Sequence, residues 1–552
     1  MYVERATSKQ NGKVYQRVLL RESYREPGAP RSAVKKRTLL NLTKYPDQIV
    51  SAIELALKHK SDLSVLGSLQ DVTLTQGPSV GGVFTLFQTA KSLGIEKALG
   101  SDHDGKLALW QVIARVLDQG SRLSAVRLAK THAAASVIGF ERGFTEDNLY
   151  ENLTWLSENQ VEIENRLFLA RRGEIKPQLF LYDVTSSYLE GDQNELADWG
   201  YNRDKKRGKK QIVIGLLCDQ DGEPVSTEVF QGNTSDLQTF ESQIKKAADR
   251  FGCERVTFVG DRGMIKSGQI EELAKVGFHY ITAITKPQIR AMIKKDVFQI
   301  GFFDEKLCEA EVGGVRYILR RNPMRAQEMA ASRTSKLAAL KALADQQNQY
   351  LAEHPKADQH KAWKLVSEKE GRLGLSSFVR VTAENRRVKV EVDEEYLAEI
   401  AELDGCYALK TDLPVEAAEA QTVHDRYKDL ALVETAFRTS KTDHLEVRPV
   451  FVRTEPNTRG HVLVVMLAYL MVRALKKAWA GFDLTVEEGL DCLNRLCAME
   501  MSIKGGASFL RLPNPDKRTK GLLDALLVNL PAALPKSNVK VDTKKKLNES
   551  RN

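Results

Sequence analysis

A short segment near residue 430 combines the residue types that can hold a metal ion beside a phosphate. Tyr427, Leu430, Glu434, Arg438 and Lys441 follow one another at intervals of three or four residues. That spacing predicts one face of a helix. A carboxylate flanked by a phenol and two cations on one stripe suits a metal ion and a phosphate. Without Glu434 between them, Tyr427 and Lys441 would be read as packing and surface charge on an amphipathic helix.

Two aspartates far upstream lie where strands would supply further metal ligands. Asp183 stands inside the apolar run Leu179–Thr185, and a charge inside such a strand is costly unless it is paired or bound to a metal. Asp261 follows the apolar run 256–260, and ligands commonly lie at the carboxyl ends of strands. Singly, Asp183 is explained equally well as a hydrogen-bonded core residue and Asp261 as a turn former. On neighbouring strands, together with Glu434, they favour a metal site.

Three carboxylates of this kind suit phosphodiester chemistry. Two divalent ions roughly 4 Å apart serve the attacking and leaving oxygens of an in-line displacement. Mg²⁺ prefers carboxylate oxygens and retains several waters. The sequence therefore predicts Asp183, Asp261 and Glu434 as metal ligands, with Mg²⁺ as the cofactor and Mn²⁺ as its substitute.

A basic loop between the first two expected strands of this region is a candidate DNA contact. Its cations are Lys205, Lys206, Arg207, Lys209 and Lys210, and Trp199 and Tyr201 precede them. Cations with nearby aromatic rings suit a DNA backbone and an unstacked base. The alternative interpretation is a solvated loop without a ligand.

The charge distribution points to a polyanionic partner. The chain has 552 residues and a net charge of +9, and that length predicts several domains. Residues 1–50 hold 11 Lys and Arg against 4 Asp and Glu, a balance of +7, and residues 536–552 hold 6 against 2, a balance of +4. Basic ends on a near-neutral body suggest nucleic acid. Solubilising charge explains them equally well from composition alone.

Metal-binding cysteine motifs and targeting segments are missing from the sequence. The six cysteines are scattered without a Cys-x-x-Cys pair, which argues against structural zinc. The N-terminus has no apolar signal segment. The longest apolar run, Val462–Val472, is too short to span a bilayer and predicts a buried helix. We therefore expect a protein of the reducing cytoplasm that does not bind a membrane.

The order of predicted elements indicates an α/β catalytic core. Three strands in hairpin connection are followed by helix, strand, helix and strand, which is the order of an RNase H-like sheet. We expect the following division: a basic β-rich region (1–75), a helical DNA-binding region (76–172), the first part of the core (173–288), a β-rich insertion domain (289–420), the second part of the core (421–482), and a helical C-terminal region with a basic tail (483–552). Segments 121–129 and 145–149 are compatible with a helix-turn-helix, and plain helical packing explains them at least as well.

An ordered set of motifs resembles bacterial insertion-sequence transposases of the DDE type. Asp183, Asp261 and Glu434 resemble the catalytic triad of that family. The group in question carries a β-rich insertion before the Glu and a Tyr-Arg-Glu-Lys signature on the Glu helix. Tyr427 and Lys441 stand at the signature spacings, whereas Leu430 replaces the Arg. Supporting pieces are the runs 232–236, 258–264, 437–441 and 448–450, and the resemblance covers about residues 178–480.

The resemblance implies metal-dependent cleavage at the ends of an insertion sequence and strand transfer into target DNA. It further implies terminal inverted repeats as the ends, a homodimer on DNA, and a bacterial protein associated with the nucleoid. We expect Tyr427, Arg438 and Lys441 to contact DNA and orient phosphates near the scissile bond. Arg438, one turn past Glu434, is expected to bind the phosphate that Leu430 cannot bind. Two alternatives remain from the sequence: an RNase H-like repair or junction nuclease, and a non-catalytic DNA-binding protein descended from a transposase.

Overall fold

The structure is a computed structural model of the chain. It describes residues 1–10, 13–24, 34–58, 72–173, 177–251, 253, 256–443, 445–448, 450–503, 508–535, 537 and 539–544. The chain forms two compact units. One comprises Met1–Phe84, Thr131–Gly139 and Asp491–Val539, and the other comprises Thr85–Lys130, Phe140–Leu490 and Lys540–Asn552.

The strands of the described residues are, in chain order, β1 (Tyr2–Gln10), β2 (Lys13–Tyr24), β3 (Lys35–Asn41), β4 (Val72–Ser79), β5 (Leu179–Tyr188), β6 (Gln211–Asp219), β7 (Pro224–Phe230), β8 (Thr257–Gly260), β9 (His279–Ala283), β10 (Cys308–Val312), β11 (Val315–Arg321), β12 (Val379–Glu384), β13 (Arg387–Val392), β14 (Cys406–Thr411), β15 (Cys497–Ile503), β16 (Ser508–Arg511) and β17 (Ala533–Leu534).

The α-helices are α1 (Asp47–Lys58), α2 (Gly81–Ser92), α3 (Ile95–Leu99), α4 (His103–Leu117), α5 (Arg122–Thr131), α6 (Ala134–Ile138), α7 (Glu146–Glu158), α8 (Gln160–Arg172), α9 (Asp236–Lys245), α10 (Ser267–Lys275), α11 (Lys286–Lys294), α12 (Pro323–Glu353), α13 (Gln359–Leu373), α14 (Glu394–Glu402), α15 (Ala420–Lys428), α16 (Leu430–Arg438), α17 (Glu455–Ala478), α18 (Val486–Asn494) and α19 (Lys517–Ala525).

The first unit contains two antiparallel sheets. β1, β2 and β3 are neighbours in that order, which confirms the expected β-rich N-terminus, and α1 packs on β1. The second sheet has the order β17-β16-β15-β4. Sequence periodicity did not predict this pairing of an early strand with three late ones. Most of the basic tail expected at the C-terminus lies outside the described residues.

The second unit is built on an eight-stranded mixed sheet with the order β10-β11-β14-β9-β8-β5-β6-β7. β5, β6 and β7 pair antiparallel, and β8 and β9 add to β5 in parallel. These five strands have the order expected of an RNase H-like core. Aromatic side chains from the central strands and from α9, including Phe180, Phe240 and Phe258, fill one face of the sheet.

The insertion between residues 289 and 420 divides into two structural parts. β10, β11 and β14 extend the main sheet beyond β9. α12, α13 and the β12–β13 hairpin enclose an apolar cluster of their own around Leu340, Val366 and Val388. The insertion therefore holds more helix than the β-rich segment that we expected. The alanine-rich composition of α12 favours helix.

Two helices that precede the sheet, α4 and α7, pack against α17. α17 contacts α4, α7 and β7. By length and composition it is the one helix among the described residues that passes as a membrane span, but 83% of its apolar window is buried inside the protein. That burial is typical of a core helix, as the sequence predicted. In chain order α6 separates α5 from α7, which favours plain helical packing over a helix-turn-helix with a tight turn.

Candidate active site

The two aspartates lie side by side at the centre of the main sheet. β5 and β8 run parallel, and Tyr182 pairs with Gly260, so Asp183 and Asp261 are the next residues on neighbouring strands. Asp183 is the partly exposed residue in the middle of a buried stretch of β5. Asp261 is exposed at the turn that follows β8. The register thus brings together carboxylates that are separated by most of a domain in sequence.

Glu434 lies on α16, which packs against β5, the strand of Asp183. Val433, Ala436 and Phe437 form the buried side of this helix. Glu434 and Arg438 are both exposed and lie one turn apart. The buried side fixes the helix on the sheet and turns Glu434 away from the core.

The single continuous helix predicted for residues 427–441 is wrong. Tyr427 belongs to α15, which ends at Lys428, and α16 begins at Leu430. After Arg438 the chain forms a π-helical turn over Thr439–Asp443. A π turn contains more residues than an α turn, so the face predicted from α-helical spacing is not maintained. As a result Lys441 is buried, although it was expected on the face of Glu434.

The three carboxylates act on one another electrostatically. Burial raises the pKa of Asp183 from 3.8 to about 7, and the charges of Asp261 and Glu434 contribute to that rise. The Val184 amide, which donates to Asp183 at 2.8 Å, and the Arg203 charge oppose the shift. Arg203 itself donates to both carboxylate oxygens of Asp236, at 2.6 and 2.8 Å. The Arg203 charge therefore offsets the rise in the pKa of Asp183 only in part.

Tyr427 contacts this carboxylate group directly. Its hydroxyl donates to Oδ1 of Asp261 at 3.2 Å. Burial and the adjacent Asp261 raise the pKa of Tyr427, so the phenol keeps its proton and remains a donor. This hydrogen bond orients the Asp261 carboxylate, and the contact of Tyr427 with DNA stays a prediction.

The donor chemistry of the site fits a hard divalent ion. Asp183, Asp261 and Glu434 offer only carboxylate oxygens, the ligands that Mg²⁺ and Mn²⁺ prefer. A bound cation would relieve the repulsion that raises the pKa of Asp183. Within the described ranges, however, no three or more Asp, Glu, His or Cys side chains lie close enough to form a ready ligand group. Side-chain rotation would have to complete the site.

A second acidic centre is formed by Asp204. It is linked through Lys441 to Thr185, which is two residues beyond Asp183 on β5. Lys441 Nζ donates to Thr185 Oγ1 at 2.8 Å and to Asp204 Oδ1 at 2.7 Å. Arg448 forms an ion pair with the same oxygen of Asp204, and the Tyr188 amide donates to Oδ2 at 3.1 Å. Sequence reasoning missed Asp204 as a structural residue. The available signal was one acidic residue at the head of a basic run, a pattern that is common in ordinary loops.

The basic loop presents some of its predicted cations to solvent. Lys205, Lys206 and Arg207 are exposed, whereas Lys209 and Lys210 are half-buried. Lys209 Nζ donates to Glu190 Oε2 at 2.7 Å, and the hydrogen bond raises the pKa of Lys209.

The aromatic residues before this loop are also open to solvent. Trp199 is 60% exposed and Tyr201 is 82% exposed. Exposed rings beside exposed cations are compatible with the predicted contact to a DNA backbone and an unstacked base.

Comparison with known families identifies the class of protein. The family described as "Transposase DDE domain" matches residues 174–471, more than half of the chain. The family described as "IS1634 family transposase, N-terminal domain" matches residues 3–65. The chain therefore belongs to the DDE transposases of insertion sequences, and its function is DNA transposition. No curated protein matches the chain closely enough to count as a relative.

Two solved structures show distant likeness. A piggyBac transposase synaptic complex with hairpin DNA has 10% identity and a TM-score of 0.35, covering 82% of each chain. A Mos1 transposase paired-end complex has 13% identity and a TM-score of 0.14, covering 33% of this chain and 58% of that one. Both TM-scores are too low to support a conclusion. The family membership argues against the repair-nuclease alternative; a non-catalytic descendant has to be tested by assay.

Proposed function

We propose that Asp183, Asp261 and Glu434 are the catalytic triad of this transposase and hold its divalent ions. The observation that carries this proposal is the register of β5 and β8, which puts Asp183 and Asp261 at adjacent positions, with Glu434 on a helix that packs against β5. Structural carboxylates are normally paired, and a bound cation would supply a counter-charge for these three. When Mg²⁺ or Mn²⁺ is bound, it supplies activation of the attacking oxygen and charge stabilisation at the leaving oxygen.

The remaining residues of the site have supporting roles in this proposal. Tyr427 holds Asp261 in place through its hydroxyl group. Arg438 is exposed one turn from Glu434, which supports a contact to a phosphate beside the scissile bond. Lys441 is bound to Asp204 inside the protein, so we assign it to positioning β5 against the catalytic helix rather than to direct phosphate binding.

The basic loop supplies the longer-range contacts to DNA. Lys205, Lys206 and Arg207 are exposed and are suited to the phosphate backbone. Lys209 and Lys210 are half-buried, so we place them at the margin of the same surface.

The substrates follow from the family and from the charge of the chain. We infer cleavage at terminal inverted repeats of an insertion sequence, then strand transfer into target DNA by a homodimer. The balance of +7 over residues 1–50 supports contact with the ends. We place the protein in the bacterial cytoplasm, at the nucleoid.

Cleavage assays on DNA that carries the inverted repeats flanking the gene test the triad. Asp183→Asn, Asp261→Asn and Glu434→Gln keep the side-chain shape but lose the charge, so each should abolish Mg²⁺-dependent cleavage and leave gel-shift affinity largely intact. Asp192→Asn, an exposed carboxylate away from the triad, is the matched control and should cleave normally. Near-normal cleavage by any triad variant would remove that residue from the triad. A wild-type protein that binds but never cleaves would favour the non-catalytic alternative.

A further inference from the structure

A second basic site, separate from the basic loop, lies in the same unit and includes Arg448. A cavity of about 260 Å³ is lined by Arg115 at the end of α4, Arg122 at the start of α5, Arg448, and His461 of α17. We call it the arginine cavity. None of the predicted catalytic residues lines it.

The two deepest arginines of the cavity are buried with few hydrogen-bond partners. Arg115 and Arg122 are each 5% exposed. Arg115 Nη1 donates to the Gln119 carbonyl, and its Nε has no hydrogen-bond partner among the described residues. Arg122 Nη2 donates to Nδ1 of His461 at 2.9 Å. A guanidinium carries five N–H donors, so both groups retain capacity to bind an acceptor in the cavity.

The positive charge of the cavity is poorly compensated. Burial lowers the pKa of Arg115 to about 10 and that of Arg122 to about 9, and the charge of Arg115 contributes to the lowering at Arg122. His461 cannot supply a negative charge, and its pKa is lowered by burial and by both arginines. The charges of Asp118 and Glu446 oppose the shift at Arg115 only in part, and Glu446, the one carboxylate that lines the cavity, is exposed. Burying cations in this way is costly unless an anion accompanies them.

The cavity is linked to the catalytic strand by a chain of ion pairs. Arg448 lines the cavity and binds Asp204, and Asp204 binds Lys441, which also contacts Thr185 on β5. An anion in the cavity would therefore lie beside a network that ends two residues from Asp183.

We propose that the arginine cavity binds a backbone phosphate of the transposon-end DNA, at a distance from the scissile bond. Guanidinium groups match phosphate oxygens in bidentate geometry. Exposed aromatic residues complete the lining, with Phe451 73% exposed and Tyr150 40% exposed, and they suit the sugar next to such a phosphate. This proposal rests on the proposed function, because it takes the cleaved DNA as its ligand.

The test measures affinity for inverted-repeat DNA against salt concentration, with full-length protein carrying Asp183→Asn so that the DNA stays uncut. Arg122→Gln should bind about tenfold more weakly, because a charge-assisted contact is removed. The slope of log K against log salt should fall by about 0.9, the value for one phosphate contact. Arg473→Gln is the matched control: Arg473 is on α17 outside the cavity and donates to the Asp221 carbonyl, so affinity and slope should not change.

A variant at the exposed residue Phe451 keeps the test decisive if Arg122→Gln fails to fold. Phe451→Glu places a negative charge at the cavity and should weaken binding, whereas Phe451→Gln should bind at least several-fold more tightly than Phe451→Glu.

Unchanged affinity and slope in folded Arg122→Gln and in Phe451→Glu would overturn the cavity proposal alone. Failure of the parent protein to bind the DNA would overturn the proposed function as well. Inorganic phosphate that raises the melting temperature of the parent, with no change in the DNA salt slope in these variants, would identify a small-anion site and overturn the DNA assignment.

Discussion

Two acidic centres, Asp183 on β5 and Asp204 in the loop that follows it, differ in how their charge is balanced. Asp204 has a side chain that is 2% exposed, and it is held by Lys441, Arg448 and a backbone amide. Asp183 lies two residues before Thr185, and burial, with smaller contributions from the charges of Asp261 and Glu434, raises its pKa. Carboxylates of the first kind hold elements together. Those of the second kind leave room for a cation, and we propose that this difference separates the structural site from the catalytic one.

Lys441 does not lie on the helix face of Glu434 that its spacing in the sequence predicted. Its spacing from Glu434 suggested a phosphate contact, but the π-helical turn after Arg438 directs it to Asp204. Its ammonium group therefore balances the structural carboxylate Asp204.

The largest effect on stability is expected from Asp204→Asn. The substitution leaves the buried ammonium of Lys441 and the guanidinium of Arg448 without their carboxylate. Breaking a buried pair by removing one partner costs about 3–5 kcal/mol, measured here as a decrease in the free energy of unfolding in urea. The double variant Asp204→Asn/Lys441→Met should recover part of that decrease. A stability equal to that of wild type would mean that Asp204 is not a structural centre.

A somewhat smaller effect is expected on catalysis from Arg438→Ala. Leu430 cannot contact phosphate, so Arg438 should stabilise the transition state by about 2–4 kcal/mol, comparable to a charge-stabilising donor. This loss would be measured as the decrease in kcat/KM for cleavage by Arg438→Ala. Arg438→Lys should restore only part of this. Leu430→Arg in the Arg438→Ala background should recover activity if the two positions serve one phosphate. A mild Arg438→Ala defect without rescue would show that the chain needs neither contact.

The smallest effect is a pH dependence of stability in metal-free protein. The pKa of Asp183 is about 7 in the folded chain against an ordinary 3.8. This raised pKa favours folding below pH 4, and the contribution disappears as pH rises through 7. Because Asp183 is partly exposed and solvent screens its charge, we expect the free energy of unfolding to decrease by only about 1–2 kcal/mol between pH 4 and pH 7.

The control for this pH dependence is Asp183→Asn, which does not titrate. In EDTA, Asp183→Asn should become more stable relative to wild type between pH 5 and pH 8, and Mg²⁺ at pH 8 should reduce the difference. Parallel stability curves for the two proteins would contradict the raised pKa.

The sequence predicted most of the central sheet because its strands are short apolar runs with turn residues between them. The runs that include Asp183, Gln211 and Pro224 became β5, β6 and β7. The pairing of β4 with β15 was not predictable, because these strands lie more than 400 residues apart and nothing local encodes the pairing. Asp183, Asp261 and Glu434 were placed together by strand order and resemblance.

Helical periodicity failed where the helix itself changed type. The π turn at Thr439 and the break at Asp429 altered the faces of Lys441 and Tyr427. Arg115 and Arg122 gave no signal, because isolated arginines in amphipathic helices are ordinary surface residues in sequence.

Direct measurement of Mn²⁺ binding tests the central claim, that the unbalanced carboxylates form the metal site and the balanced one does not. Full-length wild-type protein at pH 8 would be titrated with Mn²⁺ and followed by electron paramagnetic resonance, alongside Asp183→Asn, Glu434→Gln and, as a carboxylate control outside the triad, Asp192→Asn. The account predicts that each of the first two variants binds Mn²⁺ at least tenfold more weakly, and that Asp192→Asn binds as wild type does. Equal Mn²⁺ affinity in wild type, Asp183→Asn and Glu434→Gln would contradict it.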